Sequence, residues 1–313
     1  MDLSICIVSW NTKILLKECI ESVIEMTSGL KYEIIIVDNC STDGTLEMLE
    51  KDFSQCKMII NRCNLGFAKA SNLAARYGSG RYILYLNPDT ILKTNALLKM
   101  RDFLEKNEEY GAVGCKLLNT DGSIQYVCAR TYPSPLKEFN ELAMLNRIFP
   151  QSTIFDTSEL NGWNHEDSRD IDCISGACMM MRVNLVNEMK GFDEEFFMYA
   201  EDVDLCYRIV KKGWKIYYLS DEIIIHYGGA SAKKNQIKYF GTVEERRANY
   251  KFIRKHYGKL KAFEYRLAVF LGSIIRIIIV PLYVFYKSTF DKKIDMSDLL
   301  NKYFTLLHWS VKG

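Results

Sequence analysis

Apolar and polar positions alternate along the first part of the chain in blocks of two kinds. Short apolar runs rich in β-formers (Ser4 to Val8, Glu33 to Val37, Lys57 to Ile60, Tyr82 to Leu86) each stop at polar or turn-forming residues. Runs of that length predict strands, and the most apolar of them strands buried on both faces. Between them lie segments with apolar residues three and four apart, clearest in Leu15, Leu16, Cys19, Ile20 and Val23. These predict helices over Thr12 to Met26, through Leu46, Leu49 and Glu50, and over Ala68 to Tyr77. Such alternation predicts an α/β fold with a doubly wound, mostly parallel sheet and right-handed crossovers.

The pattern continues with a helix over Thr94 to Lys106 and a strand over Ala112 to Leu118. The Asp121-Gly122 turn predicts a hairpin with Ile124 to Cys128. From Ala129 to Asp170 the chain is weakly patterned and holds Pro133, Pro135 and Pro150, which predicts an irregular functional loop or lid. A strand over Asp172 to Arg182, broken at Ser175-Gly176-Ala177, precedes a helix starting near Glu201. A last strand, Trp214 to Leu219, is followed by Ile223-Ile224-Ile225-His226.

Candidate chemistry collects where these strands end. Pro88 stops the Tyr82 to Leu86 strand, so Asp89 lies just past its carboxyl end, with Asn87 two residues before it. In open parallel α/β sheets that edge is where ligands bind. A carboxylate there suits a divalent cation carrying phosphate oxygens. The plainer reading makes Asp89 a turn residue or the cap of a helix starting near Leu92. Asp38 ends the second strand in the same manner.

At about 100° per residue, Val203, Cys206, Tyr207, Ile209 and Val210 share one face of the helix near Glu201. Asp204, Arg208, Lys211 and Lys212 share the other, so Asp204 is expected as an exposed partner of Arg208. Asp202 projects onto the apolar arc and Glu201 does not. A carboxylate on the buried side of a first turn is anomalous unless partnered or working, which makes Asp202 the catalytic candidate. His226 follows an apolar run, where a histidine is more often structural than a ligand; the adjacent glycines shift those odds.

Composition narrows the class without changing the picture. The chain has 313 residues, 48% hydrophobic and 26% charged, which suits a globular protein. A net charge of +2 gives no reason to expect nucleic-acid binding. Ten cysteines without C-x-x-C spacing, and no signal peptide at Met1-Asp2-Leu3, predict a reducing cytosolic setting.

Together these pieces resemble glycosyltransferase family 2, inverting enzymes of the GT-A fold. The resemblance rests on Val8-Ser9-Trp10-Asn11, Val37-Asp38-Asn39-Cys40-Ser41-Thr42-Asp43-Gly44, Asn64-Leu65-Gly66-Phe67-Ala68 with Asn72, and Leu86-Asn87-Pro88-Asp89. It continues through Ser175-Gly176-Ala177, Phe192-Asp193-Glu194, Glu201-Asp202-Val203-Asp204-Leu205 and His226-Tyr227-Gly228-Gly229. The order is the family's, over residues 4 to about 231, and the flavour is that of the rhamnosyltransferase-like subgroup of cell-surface polysaccharide assembly. It implies a nucleoside diphosphate sugar donor held by Ser9, Asp38, Asn64, Gly66, Asn72 and Asn87. It implies Mg²⁺ or Mn²⁺ on Asp89, with His226 as a second ligand, and Asp202 as general base. Glu201, Trp10, Gly176 and Ala177 would meet the acceptor, a glycan or lipid-linked hydroxyl. The implied domain covers 1–231, with a nucleotide-binding half at 1–110 and an acceptor half at 111–231, followed by a helical extension at 232–313. The familiar Asp-x-Asp is Asn87-Pro88-Asp89 here, leaving one anionic ligand.

The extension adds a further partner. Leu267 to Tyr286 is apolar but for Arg276 and Pro281, borderline for a bilayer span. Arg266, Ser273, Arg276 and Lys287 project within about a quarter turn. That polar stripe favours an interfacial amphipathic helix, about residues 262–287, on anionic lipid at the inner face of the cell membrane, over a span or a helix packed against the domain. Two rivals stay open: a catalytically silent sugar-nucleotide binder or scaffold at the membrane, and a sugar-phosphate nucleotidylyltransferase. The second would want a glycine-rich loop where Ser9-Trp10-Asn11-Thr12-Lys13 has none. A processive synthase lacks its several spans here, and a Rossmann dehydrogenase its G-x-G-x-x-G.

Overall fold

The computed structural model describes residues 1–228, 239–288 and 295–312. Gly229, the nominal boundary near 231 and the side chain of Lys287 lie outside the described residues. The chain divides into two compact units, residues 1–131 with 165–228, and 132–164 with 239–312.

The first unit opens with β1 (Leu3–Ser9), α1 (Lys13–Met26), β2 (Tyr32–Asp38), α2 (Thr45–Asp52), β3 (Lys57–Ile60), α3 (Phe67–Arg76) and β4 (Tyr82–Leu86). All four strands are parallel, in the order β3-β2-β1-β4, so the strand order reverses between β1 and β4. Every residue of β1 and β4 is buried, as their unbroken apolar runs require.

Next come β5 (Thr90–Leu92), α4 (Ala96–Lys106), β6 (Tyr110–Leu118) and β7 (Ala129–Arg130). After the excursion through the second unit the chain forms β8 (Arg169–Asp170), β9 (Cys173–Ile174), β10 (Cys178–Arg182), α7 (Val183–Met189), α8 (Glu201–Lys211) and β11 (Lys215–His226). β10 enters antiparallel between β4 and β6, and β11 runs parallel to β6. The result is a mixed, mainly parallel sheet flanked by helices. α3 packs on β1 and β2, and α4 on β6 and β11.

Three local expectations change. Residues 90–92 form β5, paired antiparallel with β11 in the register His226 with Thr90, and the helix begins only at Ala96. Asp89 therefore caps no helix. The Asp121-Gly122 hairpin reduces to a single bridge between Leu118 and Ile124, followed by a 3₁₀ turn over Tyr126–Cys128. The two final apolar runs belong to one strand with a register shift between Leu219 and Ile223.

The second unit contains α5 (Pro135–Leu142), α6 (Leu145–Ile148), α9 (Phe240–Ser288) and α10 (Met296–Lys312). The segment expected as an irregular loop is thus partly helical, started by Ser134, whose hydroxyl accepts from the Lys137 N–H, and by Pro135 in the first turn. α9 breaks at Gly258 (φ +87°), a backbone angle that favours glycine, and is long and apolar enough over Phe240–Leu282 to cross a membrane. α5 and α10 both pack on α9. Arg246 joins α9 to α5 through ion pairs with Glu138 and Glu141, and the Tyr265 hydroxyl donates to Glu138 at 2.8 Å.

The predicted polar stripe of α9 is tied to α10 and α5 through its two arginines. Ser273 is fully buried, Arg276 donates to the Glu141 carbonyl at 3.0 Å, and Arg266 donates through Nε to the Ser310 carbonyl at 2.9 Å. The opposite face carries Leu260, Phe263, Leu267, Leu271, Ile278 and Leu282, exposed by 72, 64, 44, 43, 63 and 68%. At about 100° per residue these six fall on roughly 100° of arc. The helix is amphipathic as expected, with its apolar side outward.

Candidate active site

The carboxyl ends of β1, β2 and β4 bring the first group of candidates to one edge of the sheet. Ser9 and Asp38 are register partners at the ends of β1 and β2, and the Asn39 N–H donates to the Ser9 carbonyl at 2.8 Å. Trp10 follows, half-buried. Asp38 is buried; its Oδ2 accepts from the Ser41 N–H at 2.9 Å, while its Oδ1 has no partner among the described residues. An orphaned buried acceptor at a ligand-binding edge suits the N–H or hydroxyl of a nucleoside.

Asn39, which drew no role from the sequence, organises the loop beyond. Its Nδ2 donates to Asn64 Oδ1 at 2.7 Å, and its Oδ1 accepts from Asn61 and from the Leu65 N–H at 3.0 Å each. Asn64 in turn accepts from the Gly66 N–H at 2.9 Å. Gly66 sits at φ +83°, and a Cβ there would come within 2.7 Å of Phe197. Asn72 lies deeper in α3, where its amide is committed to the Phe192 backbone, donating to the carbonyl and accepting from the N–H at 2.8 Å each.

The second group forms where β4 and β11 end. Gln125 Nε2 donates to the His226 carbonyl at 2.6 Å and to Asn119 Oδ1 at 2.8 Å, which leaves its Oε1 facing His226 Nδ1 at 2.8 Å. Nδ1 therefore donates to Gln125, and Nε2 is the ring atom turned toward the strand end. Nε2 faces Asn87 Nδ2 at 3.2 Å and Asp89 Oδ1 at 3.3 Å. A proton on Nε2 pairs His226 with Asp89; without it, Nε2 and the carboxylate oxygen face each other as two acceptors. The donor set, one carboxylate and one oriented imidazole, is mixed O/N ligation that Mn²⁺ tolerates better than Mg²⁺. No cluster of three or more His, Cys, Asp or Glu occurs among the described residues.

The third group is tied to the second through the backbone. The Asn87 N–H donates to the Ala177 carbonyl at 3.0 Å, and the neighbouring Gly176 N–H donates to Asp202 Oδ2 at 3.0 Å. Asp202 Oδ1 accepts from the Val203 N–H at 2.8 Å. One terminal nitrogen of Arg130 lies 2.9 and 3.0 Å from the two carboxylate oxygens. Arg130 is set by pairing of β7 with β9, in register with Cys173. A carboxylate has about four lone-pair sites, and these donors fill them. Any hydroxyl that is to give Asp202 its proton must displace one donor, and among the described residues Arg130 is the only one on a side chain.

Two assignments on α8 reverse. Asp204 is fully buried, not exposed, because Arg208 follows it inward: Arg208 Nε bonds Asp204 at 2.7 Å while its terminal nitrogens reach the Met189 and Gly191 carbonyls at 2.8 Å each. Glu201, projected off the apolar arc, is also buried, with Oε2 unpartnered among the described residues. Burial, then the charge of Asp202, pushes the Glu201 carboxyl up to about 8. Glu201 is thus a carboxylic acid near neutral pH, beside a carboxylate paired to arginine.

A raised carboxyl pKa adds stability that is fully present below the unfolded value, near 4.3, and is lost as pH rises through about 8. Glu201→Gln is therefore expected to melt several degrees above wild type at pH 8.5, with the difference shrinking toward pH 4.5. Equal pH dependence of the two melting curves would refute the assignment.

The order and direction of the strands, with ligand-type side chains at their carboxyl ends, define a GT-A glycosyltransferase fold. The glycosyl transferase family 2 model matches residues 4–189, more than half of the chain, and the chain belongs to that family. It is 27% identical over 213 residues to the N-acetylglucosaminyl-diphospho-decaprenol L-rhamnosyltransferase of Mycobacterium tuberculosis, covering 64% of this chain and 68% of that one. It is 28% identical over 172 residues to the rhamnosyltransferase WbbL of Escherichia coli, covering 52% and 61%. Among solved structures it is similar to a mannosyltransferase from Pyrobaculum calidifontis in complex with GDP-Man and Mn²⁺, with TM-score 0.60, 14% identity, and 99% and 86% coverage. It is similar also to GalNAc-T7 with UDP, GalNAc and Mn²⁺, with TM-score 0.59, 14% identity, and 100% and 56% coverage.

Proposed function

We propose that this glycosyltransferase transfers a sugar, rhamnose being the first candidate, from a nucleoside diphosphate to a hydroxyl of a glycan or lipid-linked acceptor, with inversion. The observation that carries this reading is Asp202, a buried carboxylate one hydrogen bond from Gly176 and joined through the backbone to the strand end that bears Asp89. Asp38 and Ser9 would hold the nucleoside, with Asn64, Gly66 and Asn72 shaping the loop around it. Asp89 and His226 would hold Mg²⁺ or Mn²⁺, which when bound supplies charge to the departing diphosphate. Asp202 takes the acceptor proton as the hydroxyl oxygen attacks the anomeric carbon and the diphosphate leaves. Attack without a protein nucleophile inverts that carbon. Glu201, Gly176, Ala177 and Trp10 would line the acceptor side.

The mycobacterial relative is a rhamnosyltransferase of a diphospho-decaprenol, which supports a lipid-linked acceptor, and the second relative is likewise a rhamnosyltransferase. The outward apolar face of α9 supports a peripheral position on the inner face of the cell membrane, through about residues 262–287. Thermal-shift measurement against a panel of nucleoside diphosphate sugars with Mn²⁺ tests the donor. dTDP- or UDP-linked sugars are expected to stabilise the protein, and a flat response to the whole panel would defeat the proposal.

Gln125→Leu removes the acceptor that orients His226. It is expected to raise the Mn²⁺ concentration for half-maximal turnover by about 10–100-fold. Unchanged Mn²⁺ dependence would remove His226 from the ligand set.

A further inference from the structure

We infer that the second unit holds a site for an anionic phospholipid between α9 and α10. This rests on the membrane reading above. A cavity of about 390 Å³ lies there, within the range of small-ligand sites of roughly 300–1,000 Å³. Its polar end carries Lys259, Arg266 and Tyr250, and its apolar wall carries Phe263, Leu267 and Val311. On one helix, Lys259, Phe263, Arg266 and Leu267 are spaced four, seven and eight residues along, so they share a side.

The charge is what selects the occupant. Arg266 is held by its Nε bond to the Ser310 carbonyl at 2.9 Å, with its guanidinium carbon 5.9 Å from the centre of the Tyr250 ring. That bond engages one of five N–H donors in the fork. No carboxylate pairs with Lys259 or Arg266 among the described residues. Two unneutralised cations at the mouth of an apolar cavity suit a phosphate that carries hydrocarbon. Phe263 and Leu267 belong both to the cavity wall and to the exposed stripe running on to Leu271, Ile278 and Leu282. An acyl chain whose phosphate sits between Lys259 and Arg266 would therefore lie along that stripe, inside the bilayer that the stripe faces. A soluble anion would leave the apolar wall uncovered.

The test uses the full chain and vesicles of phosphatidylcholine alone or mixed with phosphatidylglycerol, read by flotation. Wild type is expected to bind the mixed vesicles roughly 30-fold more tightly, from two cations near an anionic surface. Lys259→Gln with Arg266→Gln should lose that preference and keep its binding to phosphatidylcholine. Lys259→Glu alone, at an exposed position, should lower the preference as well, which guards against a folding defect in the double variant. Phe263→Ser with Leu271→Ser should weaken binding to both kinds of vesicle. Retained preference in the charge variants would overturn the site. Loss of the preference on adding inorganic phosphate, but not chloride at equal ionic strength, would make it a free-phosphate site and overturn the lipid. Failure of wild type to bind either vesicle would instead refute the membrane reading itself.

Discussion

Exchanging Asp202 for Asn is expected to lower sugar transfer by roughly 10²–10⁴-fold, the contribution of a positioned general base. Donor binding, read by thermal shift, is expected to survive, because Asp38, Asp89 and His226 sit at other strand ends. The amide oxygen can still accept from the Gly176 or Val203 N–H, but it cannot take a proton from an alcohol at neutral pH. The same variant separates an enzyme from a silent binder. A wild-type protein that binds donor and turns over nothing, with or without acceptor, would be the binder. Turnover undiminished in Asp202→Asn would move the base elsewhere on this edge.

Arg130→Met is expected to destabilise the first unit by about 3–5 kcal/mol, the usual consequence of leaving one member of a buried ion pair without its partner. Both side chains are largely shielded, at 18% and 9% exposure, so little solvent reaches the stranded carboxylate. Asp202→Asn added to Arg130→Met should restore much of the loss, since the pair is removed together. Denaturant unfolding of the two single variants and the double one gives the coupling directly. A single-variant loss within about 0.5 kcal/mol of wild type would show that the pair does not hold this site. Arg130 also occupies lone pairs that the acceptor hydroxyl needs. A conservative Arg130→Lys exchange is therefore expected to alter the acceptor KM more than the donor KM.

The placement of several candidate residues was legible in the sequence, for a definite reason. Asp38 and Asp89 stand where an apolar run stops, and in a parallel sheet that position dictates which edge they occupy. Helix periodicity singled out Asp202 as a carboxylate on a buried face, and it is buried. The same projection misplaced Glu201 and Asp204. It counts apolar neighbours on one helix and cannot see that Arg208 brings its own partners inward, or that the loop around Gly176 and the strand bearing Arg130 cover the first turn. Arg130, Gln125 and Asn39 went unnoticed because each acts through a residue far away in sequence. Arg130 is 72 residues from Asp202, and Gln125 is 101 from His226.

The alternation of apolar strands with amphipathic helices determined by itself the layered α/β architecture and the edge at which ligand chemistry collects. Backbone hydrogen bonding leaves a chain so patterned few other ways to bury both faces of its strands. Tertiary structure alone decided which polar groups on that edge are satisfied and which stay open. It left Asp38 Oδ1 and Glu201 Oε2 unpartnered among the described residues, placed donors on both oxygens of Asp202, and turned the apolar side of α9 outward. Those outcomes depend on contacts between distant segments, and periodicity along one segment carries no information about its neighbours.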